Sequence, residues 1–248
     1  MAVIGGRAHL NGITFATSTH VVRGRLTQGL ISVKIRRLPL IWLFNVMDKV
    51  PFLRGVTKLV KLNLNLFICL IILLCIPWDL IFASNTTTLD ISASVWPVFA
   101  IYGFVIVALV IFLKRLWQFH GAEHKAFNIY LTGGDLSLNT VQDASRLSER
   151  CGTNLVVILL PLMIIQFLFL YQSQLLIYLV SISIGYEIFN LSSKRHRLKP
   201  VFIVAGFIQK YIVTAEPTEE QLRVAIATLS KAIECENSPS LSGNFVSM

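Results

Sequence analysis

Long apolar stretches constrain the fold of this chain more than any other feature of the sequence. The segments at residues 62–83, 95–113, 154–171 and 175–191 each contain at most one charged side chain. Runs of about 18 or more apolar residues indicate helices that cross a bilayer, whose hydrocarbon core is roughly 30 Å thick. Charged residues make up only 14% of the chain, against about a quarter in soluble proteins. We therefore predict an integral membrane protein with about four helical spans.

The distribution of lysine and arginine predicts how these spans are oriented. The connecting loops at residues 84–94 and 172–174 contain neither residue type, whereas the whole chain has a net charge of +9. Basic loops remain on the cytoplasmic side of a membrane. We expect an α-helical polytopic membrane protein with two transmembrane hairpins and with both termini in the cytoplasm or stroma. A bacterial inner membrane and a plastid membrane both fit this pattern.

The N-terminal residues 1–37 predict a small, partly β cytoplasmic cap. Apolar residues alternate with polar ones from Ile31 to Ile35, which is typical of a strand with one buried face. Residues 20–26 are the expected partner strand, across a turn at residues 27–29. The cap is therefore predicted to contain at least one antiparallel hairpin.

The same region is strongly basic, because residues 1–61 contain ten lysines and arginines and a single acid, Asp48. Such an excess can hold a protein segment against anionic lipid headgroups. It can equally serve only to fix the orientation of the spans. Both interpretations place the cap on the cytoplasmic side of the membrane.

The remaining segments complete the predicted organisation. We expect an interfacial amphipathic helix at residues 38–61, a first transmembrane hairpin at 62–116 and a cytoplasmic segment at 117–153. A second transmembrane hairpin is expected at 154–191, followed by interfacial and C-terminal amphipathic helices at 192–236 and a disordered tail at 237–248. Within the cytoplasmic segment, residues 139–150 predict a helix. Thr218 and Gln221 have the spacing of a capping box, which predicts the start of the C-terminal helix.

The cytoplasmic segment carries the residues that suggest chemistry. His120, Glu123 and His124 lie within five residues, and on a helix the two histidines are one turn apart on the same face. Two imidazoles at this spacing can share a metal ion, and the carboxylate beside them can deprotonate a water. The order His-x-x-Glu-His is the inverse of the zincin motif.

A third metal ligand is expected, and Glu187 is the best candidate from the predicted topology. It lies near the cytoplasmic end of the fourth predicted span, on the side of the membrane to which the second span delivers the histidines. A buried carboxylate requires a cation, a donor or a metal. We predict a divalent metal, with Zn²⁺ the best suited, on His120, His124 and Glu187. The alternative is a polar interface in which Glu187 pairs with Lys125 or Arg150.

The cysteines do not add to this prediction. The four of them show no CxxC or metal-finger spacing, at positions 69, 75, 151 and 235. Nothing in their positions suggests a disulfide framework. From spacing alone, none of them is a candidate ligand.

Several blocks of the sequence resemble the YqhQ-like membrane family. These blocks are PFLRG at 51–55, FHGAEHK at 119–125, RCGT at 150–153, and Glu187. The family is defined by a domain of unknown function, and its members are often labelled predicted metal-dependent enzymes. The resemblance extends through most of the chain. It implies a membrane protein with a metal-dependent activity.

Two positions depart from the family pattern. The family usually begins GGQAVMEGV, whereas this chain has GGRAHLNGI at residues 5–13, so that Asn11 replaces an acid. The histidine that the family commonly carries before Arg-Cys-Gly is Ser148 here. If either missing group is a ligand or base, this member has lost activity, unless His9 substitutes.

Two functions follow as hypotheses. The first is a metal-dependent, hydrolase-like enzyme at the cytoplasmic membrane face, acting on a membrane-embedded peptide or lipid. Glu123 would be its general base, and Lys125 or Arg150 would stabilise an oxyanion or bind a phosphate group. The second is a non-catalytic scaffold or assembly factor, whose basic cap binds anionic lipid, a ribosome or a membrane-protein complex. Specific recognition of nucleic acid is not expected.

Overall fold

The computed structural model describes residues 3–38, 46–47, 49–50, 100, 104, 107–108, 111–169, 175–195, 199–237 and 243–247. Its strands are β1 Val3–His9, β2 Gly12–Thr17, β3 His20–Thr27, β4 Leu30–Arg37 and β5 Gly243–Ser247. Its α-helices are α1 Lys114–Thr132, α2 Leu138–Asp143, α3 Gly152–Phe169, α4 Leu175–Arg195, α5 Lys199–Ile208 and α6 Glu219–Asn237. A π-helix at Gln209–Val213 continues α5.

The five strands form one antiparallel sheet in the order β1-β2-β3-β4-β5. β3 and β4 pair along their whole length, from His20 opposite Arg37 to Thr27 opposite Leu30. Gln28 and Gly29 join them with φ values of 51° and 80°. Two positive φ values in a two-residue loop suit the twist of the flanking strands. This is the hairpin that the alternation at residues 31–35 predicts.

One face of the sheet is buried against α1 and α6. Phe15 and Val22 of this face are fully buried in the core, together with Leu229 of α6. Gly24 allows the close approach of α6, because a side chain at Gly24 would collide with Thr228. We call this the inner face of the sheet, and it is the centre of the hydrophobic core.

The start of α6 has the predicted capping box. The Thr218 amide donates to Gln221 Oε1 at 2.8 Å, and the Gln221 amide donates to Thr218 Oγ1 at 3.4 Å. These two bonds satisfy amides that have no partner within the helix. The predicted start of this helix is confirmed.

The helix predicted at residues 139–150 is too long, because α2 ends at Asp143. Side chains of α1 bind carbonyls in the last turn of α2 and just beyond it. Lys125 Nζ donates to Gln142 O at 2.6 Å, and Asn128 Nδ2 donates to the Ser145 and Leu147 carbonyls at 2.8 and 2.7 Å. Backbone groups satisfied in this way need no helical partner. We call residues 144–151, which are not helical, the α2–α3 loop.

The tail predicted to be disordered is partly a strand. Gly243–Ser247 pair with β4, from Ile31 opposite Ser247 to Ile35 opposite Gly243. Without this strand, β4 would present a row of unpaired backbone groups at the edge of the sheet. Pairing with that edge of the sheet fixes the position of residues 243–247.

The predicted spans are described only in part. α3 and α4 occupy the segments predicted as the third and fourth spans, residues 154–171 and 175–191. The first span and most of the second, like most of the interfacial helix at 38–61, lie outside the described residues. Within the part of the chain that the structure describes, no helix combines the length and the apolar character needed to cross a bilayer. The four-span fold stays a prediction.

We predict that Leu229→Ala lowers the free energy of unfolding by about 2–5 kcal/mol, the usual cost of a cavity in a packed core. Leu229 is fully buried between α6 and the sheet. Denaturant titration of the purified protein, followed by tryptophan fluorescence, measures the change.

Arg223→Ala on the same helix is the control, since its side chain is 57% exposed and pairs with Glu219. An exposed ion pair contributes less than about 1 kcal/mol. Equal effects of the two substitutions would contradict the assigned core.

Candidate metal centre

The two histidines of the motif lie side by side on α1, as the helical spacing predicts. The ring centroids of His120 and His124 are 4.4 Å apart, with an angle of 62° between the ring planes. Phe119 and Ala126 of the same helix are fully buried in the core. Packing of this apolar side against the sheet fixes the rotation of α1, and the two imidazoles therefore lie against the α2–α3 loop.

Cys151, the last residue of that loop, completes a group of three donors. Its Sγ lies 3.7 Å from His120 Nε2. The ligand atoms of His120, His124 and Cys151 all lie within 4.8 Å of one another. Cys151 and His124 are buried, and the His120 side chain is 20% exposed. The group is thus enclosed on most sides and reachable past His120.

Backbone carbonyls fix the orientation of both imidazoles. His120 Nδ1 lies 2.7 Å from the Val213 carbonyl at the end of the π-helix, and His124 Nδ1 lies 2.6 Å from the Arg146 carbonyl in the α2–α3 loop. A carbonyl only accepts, so each Nδ1 carries the hydrogen and each Nε2 keeps its lone pair. Metal-binding histidines are held in the same way in metalloproteins.

This group could hold a metal ion, and one of its donor distances can be compared with that of a zinc site. Around a tetrahedral Zn²⁺, a nitrogen at about 2.1 Å and a sulfur at about 2.3 Å lie roughly 3.5 Å apart. The Cys151 Sγ to His120 Nε2 distance of 3.7 Å is close to that value. Three protein ligands with a fourth position left open are typical of catalytic zinc sites, whereas structural sites have four.

Burial keeps both imidazoles neutral, which is the state that a ligand requires. Burial and the neighbouring His120 lower the pKa of His124 to about 3, against the opposing effect of its bond to the Arg146 carbonyl. Burial likewise lowers the pKa of His120, and its bond to the Val213 carbonyl opposes the shift. At neutral pH both Nε2 atoms are therefore available.

Burial also changes the pKa of the Cys151 thiol. It raises the pKa of Cys151 to about 11, although hydrogen bonds with Thr153 lower it in part. The thiol thus stays protonated at neutral pH unless a cation lies next to it. A metal ion deprotonates a coordinating thiol outright, so binding of a metal here would release a proton.

Glu123 lies beside the three donors without being one of them. Its Oε2 is 3.7 Å from His120 Nε2, and the residue is 5% exposed. Burial raises the pKa of Glu123 to about 8. Gly6 of β1 lies directly against this carboxylate, and any side chain at Gly6 would collide with it. The sheet therefore forms one wall of the site.

The other predicted site residues have different surroundings. Lys125 Nζ donates to the Gln142 carbonyl at 2.6 Å and pairs with Glu216 Oε1 at 2.7 Å. It holds the last turn of α2 against the segment before α6, and it does not belong to the group of three. Glu187 is half-buried on α4 and is not among these three donors, so its role as a metal ligand stays a prediction. Arg150 is exposed.

The sequence did not predict Cys151 as a metal ligand, because its contacts with the histidines are not local. It is 31 residues from His120 along the chain, and it has no cysteine neighbour at metal-finger spacing. The signal that could have identified it is its place in the RCGT block at residues 150–153, one of the blocks that resemble the family.

The two departures from the family pattern remove none of the three donors. The Ser148 amide donates to Gln209 Oε1 at 2.8 Å, and its carbonyl accepts from Gln209 and Asn154. Asn11 lies in the exposed turn between β1 and β2, where its carbonyl accepts from the Leu26 amide. His9 is hydrogen-bonded to Thr14 on the sheet and does not replace a ligand.

Comparison with known proteins gives the family. Residues 52–235 match the family described as Protein of unknown function (DUF1385). The chain belongs to this family. It is also similar to the uncharacterized protein YqhQ of Bacillus subtilis (strain 168), with 25% identity over 167 residues.

The alignment with that relative covers 63% of this chain and 52% of the relative, so the chain spans about half the length of the curated relative that it matches. No solved structure matches the chain. The predicted resemblance to the YqhQ-like family is confirmed. The family match includes the group of three donors, whereas strands β1 to β4 lie before it.

We predict that the purified protein holds about one zinc per chain and that Cys151→Ser weakens zinc binding by more than about 100-fold, because the loss of even a partner behind a ligand costs 10–100-fold. Elemental analysis after dialysis against a weak chelator measures the metal. Cys235→Ser is the matched control, since Cys235 is equally buried but lies in the hydrophobic core.

The metal content of Glu187→Gln distinguishes Glu187 from Cys151 as the third ligand. Loss of metal in Glu187→Gln with retention in Cys151→Ser would restore Glu187 as the third ligand. It would contradict the assignment of Cys151.

Proposed function

We propose that this protein is a metal-dependent hydrolase with its centre on His120, His124 and Cys151. The observation that supports this most directly is the combination of an open three-donor group with a buried carboxylate, Glu123, next to it. A structural metal would instead have four protein ligands and no need for a neighbouring base.

The chemistry follows from the position of each group. A bound Zn²⁺ would supply a Lewis acid at the open coordination position. A cation on the three donors would lower the pKa of Glu123, which burial alone raises to about 8. Glu123 Oε2, 3.7 Å from His120 Nε2, would then be an ionised carboxylate placed to take a proton from a water held in the site. The water oxygen bonds to the substrate carbonyl carbon, and the bond from that carbon to the leaving nitrogen or oxygen breaks. Glu123 then returns its proton to the leaving group.

An apolar groove next to the centre suggests the class of substrate. It has a volume of about 310 Å³ and is lined mainly by Ile111, Trp117, Tyr211 and Ile212. None of the three donors lines the groove, but two of its residues, Ile212 and Thr214, flank Val213, whose carbonyl accepts from His120. A substrate with an apolar part can therefore lie in the groove with its scissile bond near the metal.

Exposed apolar side chains around the groove support a membrane location. Phe112, Ile203 and Phe207 are 83%, 71% and 62% exposed, and the basic residue Lys114 lines the groove. Large exposed apolar surfaces mark contacts with a membrane or a partner. We therefore propose a multi-pass protein of a bacterial inner or plastid membrane, with the site at its cytoplasmic or stromal surface.

In this arrangement the substrate is a peptide or lipid that reaches the site from the membrane. His120 is six residues after Lys114, the first residue of α1, which places it about 9 Å along the helix from its start, and the exposed apolar residues Ile111 and Phe112 precede that start. The scissile bond would thus be cleaved just outside the apolar layer.

We expect Glu123→Gln to retain the metal and to lose hydrolysis by about 10²–10⁴-fold, the usual contribution of a general base. The substrates are fluorogenic long-chain acyl esters and N-acylated peptides in micelles, with full-length, zinc-loaded protein. Glu219→Gln is the control, because that carboxylate is exposed on α6.

Equal rates for Glu123→Gln and wild type would contradict this role and favour the scaffold hypothesis. Failure of the zinc-loaded wild type to cleave any of these bonds would contradict hydrolysis itself. Metal content measured on the same samples shows whether the centre is intact in each case.

A further inference from the structure

The face of the sheet opposite the core carries a regular array of cations. Pairing between strands places Arg7 of β1, Thr14 of β2, Arg23 of β3 and Lys34 of β4 in one row. Successive side chains of a strand point to opposite faces, so residues two apart share a face. This row alternates with the buried positions Phe15, Val22 and Val33, and it therefore lies on the outer face.

Two more cations flank this row on the same face. Arg25 lies two residues after Arg23 and opposite Ser32, and Arg36 lies two residues after Lys34 and opposite Val21. We call the five residues together the cationic face, and they are Arg7, Arg23, Arg25, Lys34 and Arg36. Three of them are exposed and two are half-buried.

No acid of the sheet region balances these charges. Strands β1 to β4 contain no aspartate or glutamate, and the first acid of the sequence is Asp48. The pKa of Arg23 is lowered, first by burial and then by repulsion from Arg25, Arg7 and Arg36. Like charges concentrated on one surface repel one another, which destabilises the folded protein. The same charges favour the binding of an anionic partner.

An unsatisfied donor lies in the middle of the array. Arg23 Nε is buried and has no hydrogen-bond partner among the described residues. A buried donor without an acceptor costs free energy, and such groups in native proteins are nearly always satisfied. A phosphate held by Arg23 and its cationic neighbours would offset the repulsion at this position, since a guanidinium binds phosphate through several parallel hydrogen bonds.

We propose that the cationic face binds the anionic headgroups of a lipid bilayer. Its charges extend over β1, β3 and β4, a width of about 14 Å, and are about 7 Å apart along a strand. A bilayer surface presents phosphates in two dimensions, as this array requires, whereas a nucleic-acid strand presents them along a line.

The residues around the cations support the same choice. Proteins that bind single-stranded nucleic acid combine cations with aromatic rings on which bases stack. Phe15 is the one phenylalanine, tyrosine or tryptophan of strands β1 to β4, and it is buried in the core. The cationic face is thus suited to phosphates rather than to bases. This inference is independent of the metal centre.

The test uses full-length protein in nanodiscs of phosphatidylcholine, titrated with vesicles of phosphatidylcholine or of phosphatidylcholine with 30% phosphatidylglycerol. The wild type should bind only the anionic vesicles, and 0.5 M NaCl should release it, because salt screens exposed charges. Arg25→Gln/Lys34→Gln should weaken binding by roughly 10- to 30-fold, given the usual contribution of each cation near an anionic surface.

Arg223→Gln/Lys231→Gln removes the same charge from α6, where each cation already pairs with a glutamate, and it should bind like the wild type. Equal losses in the two double variants would overturn the proposal, because binding would then follow net charge alone. Binding of a labelled RNA hairpin, with no binding of anionic vesicles, would also overturn it and would assign the face to nucleic acid.

Discussion

Two hydrogen bonds from α1 to distant backbone carbonyls determine the arrangement of the centre. His124 holds the α2–α3 loop through the Arg146 carbonyl, and His120 holds the end of the π-helix through the Val213 carbonyl. The same bonds leave both Nε2 atoms free to bind, and the position of the loop brings Cys151 to them. The imidazoles thus organise the backbone around them and provide two of the three donors.

The sheet and the centre are parts of one unit, because β1 covers the buried carboxylate. Gly6 leaves just enough space for Glu123, and the inner face of the sheet supports the helix that carries both histidines. The two faces of the sheet therefore have different roles. The inner face positions the centre, and the outer face carries five cations to which we assign a membrane surface. A bilayer bound there would lie on the side of the sheet opposite α1, and it would be a second membrane surface besides the one proposed at the start of that helix.

Features that depend on neighbouring residues could be predicted from the sequence. Helical spacing predicts that His120 and His124 lie together, alternation predicts the β3–β4 hairpin, and the Thr218 and Gln221 spacing predicts the start of α6. Features that depend on distant contacts could not be predicted. Cys151 reaches the histidines only because α1 side chains hold a loop that the local pattern predicts to be helical. The pairing of β5 with β4 joins opposite ends of the chain, and no short-range pattern indicates it.

The central claim is that two imidazoles and one thiolate form a metal centre with an open position. X-ray absorption spectroscopy at the zinc edge of the purified protein tests it most directly. We predict one sulfur at about 2.3 Å and nitrogen or oxygen donors at about 2.0–2.1 Å, with the sulfur contribution lost in any metal retained by Cys151→Ser. A first coordination shell without sulfur in the wild type would contradict the account.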